Sequence, residues 1–81
     1  MDPTMTDQQK VVAAITKLLG RDVPMAPTSR LNEELGLDSA SLIELTVIVH
    51  TLYGVDLGRR AVEHKMFPST VGDLIVLLGK S

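Results

Sequence analysis

Eighty-one residues, 44% of them hydrophobic but with one Phe, one Tyr and no Trp, suffice for a single domain with one modest core of packed Leu, Ile and Val. The absence of cysteine excludes a disulfide framework and a thiolate metal site, and two scattered histidines, His50 and His64, do not suggest a metal centre without it. The net charge of −2 conceals an acidic middle between two mildly basic ends, which argues against nucleic acid and for a protein partner with a basic surface.

In chain order, residues 1–5 contain a second Met and read as a flexible start or expression scar, leaving residues 6–80 as the single domain. Met1 is followed by acidic and polar residues rather than by a basic, then apolar, leader, so a cytoplasmic location is expected. No apolar run reaches the ~20 residues of a membrane span, and no membrane partner is expected. Thr6 and Gln9 have the spacing of a capping box, and Val11, Val12, Ile15, Leu18 and Leu19 then recur at helical intervals up to Gly20. A first helix is predicted over about 7–19. Residues 20–38 hold Gly20, Pro24, Pro27 and Gly36 and read as a long structured loop anchored by Val23, Met25, Leu31, Leu35 and Leu37.

A second helix is predicted from Asp38 or Ser39 to Tyr53, stopped by Gly54. Leu42, Leu45, Val49 and Leu52 form its core stripe, which Ile43, Val47 and Ile48 widen. Val47–Val49 would also suit a strand, but the length of the run favours a helix. Residues 59–65 allow only a short third helix, with His64 and Lys65 on a solvated face and Met66 and Phe67 as core plugs. After Pro68, Ser69 or Thr70 caps a last helix whose Val71, Leu74, Ile75 and Leu78 share one face. The expected fold is all-α, a four-helix bundle of three longer helices and one short one.

Asp38-Ser39 has two compatible readings. Both residues cap helices well, so the pair can be a plain N-terminus. Alternatively, the Gly36-Leu37 turn holds Ser39 out at a helix start that favours an anion, such as a phosphate esterified to its hydroxyl. A nucleophile elbow is missing and no base is placed for a triad, which disfavours a hydrolase.

Gly36, Asp38 and Ser39, followed by Ile43-Glu44-Leu45 and then by Phe67-Pro68, Thr70-Val71 and Asp73-Leu74, give the chain over about residues 6–79 a pattern that resembles the acyl carrier proteins. The resemblance implies an acyl-carrier-like bundle that is not an enzyme. Its Ser39 would carry 4′-phosphopantetheine, attached from coenzyme A by a phosphopantetheinyl transferase, with acyl groups riding as thioesters on the arm's thiol. Asp38 matches the acid beside the modified serine, and Leu37, Ala40 and Glu44 match positions of partner recognition. Implied partners are that transferase and pathway enzymes such as an acyltransferase or ketosynthase, meeting a monomeric carrier.

Three departures from the family's pattern bear on the pathway. Ala40 stands where a larger apolar residue is usual, Glu44 is the only acid between Ser39 and Tyr53, and Arg59, Arg60 and Lys65 make the third-helix region basic. They favour polyketide or related specialised biosynthesis over fatty-acid synthesis. A peptidyl carrier of a peptide synthetase is the runner-up, since Leu35–Ser39 lacks the Gly-Gly-x-Ser turn of that group. The reading from another class is a small helical interaction module in which Asp38-Ser39 only caps.

Overall fold

The computed structural model describes residues 5–79, which form four helices: α1 (Asp7–Leu19), α2 (Ser39–Tyr53), α3 (Leu57–Glu63) and α4 (Val71–Gly79). Residues 1–4 of the expected flexible start, and Lys80, lie outside the described residues. The all-α expectation holds, and α1 has the predicted bounds. Its capping box is complete: Gln9 N–H donates to Thr6 Oγ1 at 3.1 Å, and Thr6 N–H donates to Gln9 Oε1 at 2.8 Å. Gly20, at φ 74°, ends the helix in the left-handed region that glycine enters without strain.

The helices pack in a ring: α1 lies against α2 and α4, and α3 closes the other side against the same two helices. Val11, Ala14 and Ile15 of α1, Leu45 and Val49 of α2, Leu57 of α3, and Val71, Leu74, Leu77 and Leu78 of α4 are buried at the centre. Two side chains tie the ring through long-range bonds. Tyr53 Oη donates to the Lys10 carbonyl at 3.3 Å, joining the end of α2 to α1. Arg60 Nη1 donates to the carbonyls of Leu77 and Leu78 at 3.1 and 2.6 Å, satisfying the C-terminal end of α4 with a cation.

The long loop is pinned along the start of α4. Leu31 N–H donates to Ser69 O at 2.9 Å, Val71 N–H to Ser29 O at 3.0 Å, and Gly72 N–H to Pro27 O at 2.7 Å. A side chain at Gly72 would meet the Pro27 carbonyl at 2.9 Å, so only glycine allows this approach. Ser29 is buried and its hydroxyl accepts from Ala26 N–H at 2.9 Å. Leu31 and Leu37 are buried loop anchors, whereas Val23, Met25 and Leu35 are half-buried.

Several expectations need correction. The third helix spans Leu57–Glu63 rather than 59–65, because Asp56 caps it by accepting from Arg59 N–H at 3.0 Å. On α2 the buried stripe reduces to Leu45 and Val49, with Leu42 half-buried. Leu52 remains 39% exposed because Tyr53 occupies the place against α1 in that last turn. Ile43 and Val47 do not widen the core; they are 65% and 60% exposed. At 3.6 residues per turn each falls about 160° around the helix from Leu45. Phe67 is no core plug either: its ring is 82% exposed, while Met66 is half-buried.

Truncating Leu45 to Ala should destabilise the domain by ~2–5 kcal/mol, since the side chain is fully enclosed. Val47→Ala on the outer face should stay within about 0.5 kcal/mol of the parent. Urea titrations followed by circular dichroism check the contrast, and equal losses at both positions would contradict this packing.

Candidate functional site

The start of α2 is built by the turn before it. Leu31–Leu35 wind through one helix-like turn, in which Glu34 and Leu35 N–H donate to Arg30 O at 3.0 and 3.2 Å. Gly36, at φ 70°, reverses the chain. Leu37 then plunges inward, its N–H on Leu31 O at 2.8 Å, and Asp38 emerges at the surface. Leu37 is only 2% exposed, so it cannot face a partner as expected; it is the buried peg that sets where α2 begins.

Asp38 is the N-cap. Its Oδ1 accepts from Ser41 N–H at 2.8 Å. That bond above all, with smaller help from the Ser41 hydroxyl, holds the carboxyl below the usual aspartate range. Ser39 is the first residue of the helix and is exposed. Among the described residues its hydroxyl has no hydrogen-bond partner, because Asp38 has taken over the cap. The pair therefore divides between its members: Asp38 caps the start of the helix, and Ser39 keeps its hydroxyl out of that cap.

Two cavities meet at Ser39. A cleft of about 170 Å³ runs towards the loop, lined by Arg30, Asn32, Glu33, Asp38 and Ser69 as well as by the apolar Leu31, Leu37 and Leu42. Arg30 and Glu33 face each other there at 3.6 Å, both side chains well exposed. An apolar groove of about 410 Å³ runs between α2 and α3, lined by Leu42, Ile43, Leu45, Leu57, Ala61, Val62 and Leu74. Phe67 and Pro68 border both cavities, as Ser39 does. Among the described residues, no charged side chain lines the groove.

Ala40 and Glu44 are exposed, as partner recognition requires. Glu44, however, lies about 140° around the helix from Ser39, whereas Ile43 lies about 40° from it, directly one turn below. Sequence reasoning assigned Ile43 and Val47 to the core and so missed them at this surface. Ile43 stands four residues after Ser39 and Val47 four after Ile43, a same-face spacing that could have found them. The histidines are elsewhere: His50 is in the last turn of α2, and His64 caps α3. Neither borders either cavity at Ser39.

The far wall of the site is fixed by a second cap. Asp73 Oδ2 accepts from Ser69 N–H at 2.9 Å, Ser69 Oγ at 3.1 Å and Thr70 N–H at 3.2 Å, and Thr70 Oγ1 accepts from Asp73 N–H at 3.2 Å. Thr70 rather than Ser69 is thus the capping hydroxyl. The Ser69 N–H bond is the main cause that lowers the Asp73 carboxyl's affinity for a proton. A carboxyl lowered in the folded state adds stability above its ordinary value of ~3.9 and loses it as pH falls through the folded value. Asp73→Asn should therefore melt below the parent at neutral pH, with the gap closing as pH drops below ~4. Thermal melts across acid pH check this, and a gap independent of pH would assign the loss to something other than the carboxylate's charge.

A protein-family model described as "phosphopantetheine attachment site" matches residues 9–75. No curated protein and no solved structure matches the chain.

Proposed function

The chain belongs to the phosphopantetheine attachment site family, and on that premise we propose that Ser39 is its attachment residue and that acyl intermediates are its cargo. Members of this family take 4′-phosphopantetheine covalently and are carriers, not enzymes; they meet a phosphopantetheinyl transferase and the enzymes of their pathway. The observation that carries the assignment is the exposed, unpartnered Ser39 hydroxyl beside an Asp38 already committed to the cap.

The residues present suit the group. In the modification, Ser39 Oγ would form the new ester bond to phosphorus as the phosphoanhydride of coenzyme A breaks, adenosine 3′,5′-bisphosphate would leave, and the hydroxyl proton would pass to a base on the transferase. The resulting anion would sit at the N-terminus of α2, where the helix dipole favours it. The bound group supplies the thiol that this cysteine-free chain lacks. The apolar groove opening at Ser39 supports an acyl cargo, since it can shelter hydrocarbon and offers no ionic partner.

Polyketide or related specialised biosynthesis is the pathway class we favour, with fatty-acid and peptide carriers as alternatives. Ala40 after the serine, one acid on α2 and exposed Ile43 and Val47 are the features that support it. The reading takes the carrier to be a cytoplasmic monomer, on sequence composition alone. It also assigns Asp38 to orienting Ser39, and Ala40 and Glu44 to the surface that partners meet.

Incubation with coenzyme A, Mg²⁺ and a broad-specificity phosphopantetheinyl transferase should add the phosphopantetheine mass to the parent. Ser39→Ala should abolish that gain while leaving helix content intact, because Asp38 still caps. A Ser39→Ala protein that still gains the mass would refute the assignment. Glu44→Lys should slow modification several-fold at low salt, with the difference shrinking as salt rises, because steering by exposed charge is screened over ~8 Å at physiological ionic strength. Equal rates at low salt would leave docking to the apolar residues around Ala40.

A further inference from the structure

Phe67 is the only phenylalanine in the chain, yet among the described residues it is the most exposed large apolar side chain. Met66 and Pro68 on either side are half-buried, so the segment between α3 and α4 turns its flanking residues inward and its largest ring outward. Singly scattered apolar residues on a surface need no explanation. Phe67 is not scattered: Ile43 and Val62, 65% and 78% exposed, line the same groove. A phenyl ring held in water forgoes one of the largest hydrophobic gains open to any side chain.

The ring borders both cavities, and so does Ser39. Anything tethered at Ser39 therefore leaves the helix beside Phe67. The groove on one side presents only two side-chain hydroxyls, those of Ser39 and Thr46, and Thr46 Oγ1 already donates to Ile43 O at 2.6 Å. A polar cargo there would lose water and find no partner. An aliphatic cargo would lie on the apolar wall with its outer side still wet.

Resting on the Ser39 reading above, we propose that Phe67 is a specificity-determining residue that retains aliphatic cargo by laying its ring over the occupied groove. Covering the cargo removes both the ring and the outer side of the chain from water, a gain that grows with cargo length. A two-carbon cargo offers too little apolar surface to offset the ordering of the ring and leaves Phe67 in solvent. Phe67 thus couples its own burial to the identity of the cargo.

Because the chain has no tryptophan, Phe67→Trp places a single indole reporter at this position. The variant is loaded at Ser39 with the unacylated, acetylated or octanoylated arm from the matching coenzyme A species, and loading is verified by intact mass. The octanoyl form should show blue-shifted emission and reduced quenching by acrylamide, while the acetyl and unacylated forms match each other. In parallel, hydroxylamine should release octanoate several-fold faster from Phe67→Ala than from the parent, with acetate release unchanged. Full loading with identical emission and quenching in all three forms, or equal octanoate release from parent and Phe67→Ala, would overturn the proposal and leave Ser39 standing. No mass gain at all would instead overturn the Ser39 reading.

Discussion

The backbone clasp between the long loop and the first turn of α4 is the constraint on which the site depends. Three main-chain bonds, from Leu31 to Ser69, Val71 to Ser29 and Gly72 to Pro27, replace the helix that a loop of this length lacks. They satisfy N–H and carbonyl groups that would otherwise be buried without partners. They also bring Ser69 and Pro68 up to the cleft beside the loop and fix Leu31 and Leu37 in the core. With Leu37 fixed, the following two residues have little choice of position. Asp38 must leave the core, and Ser39 must open the helix.

The clasp turns an ordinary capping sequence into a site by separating two jobs that one residue usually combines. A serine at the N-cap would spend its oxygen on the helix's own N–H groups. Here the aspartate spends its carboxylate on Ser41 N–H, and the serine one position later keeps its hydroxyl. Depressing the acid's proton affinity is part of the same arrangement, because only the ionised carboxylate is an acceptor at both oxygens.

How much of this was legible in the sequence depends on whether a signal was local. Thr6 with Gln9, Gly20, Asp38 and Gly54 act through neighbours within a few residues, and α1 and α2 begin and end where those signals place them. Asp56 was local too, yet Gly58 and Arg59 behind it give no apolar period to mark a helix start. Burial was less legible, because it is set by partners distant in the chain. On a helix apolar around much of its circumference, period alone does not say which residues face α1 and α3. Hence Ile43 and Val47 were assigned inward although they are exposed, and Leu37, rightly read as a loop anchor, was also given a partner-facing role that its burial excludes. Phe67 misled for the same reason: hydrophobicity announces a wish for burial, not its fulfilment. The pattern around Ser39 identified the family, whereas the two cavities beside it arise only when loop, α2 and α3 are assembled.

The ring of helices is uneven in strength, and its weakest side is one wall of the groove. α3 has seven residues and contributes a single fully buried side chain, Leu57, whereas α4 contributes four. Its far end is held to α4 by one guanidinium, that of Arg60, on two carbonyls. Few buried apolar contacts mark the low-stability end of a fold, so α3 is the element expected to open locally before the remainder unfolds. Widening the groove therefore disturbs neither the Ser39 turn nor the contact of α1 with α2 and α4. On the carrier reading, the wall that cargo would press on and the turn that would hold its arm are anchored by different residues, Leu57 and Arg60 for the one and Leu37 and Asp38 for the other.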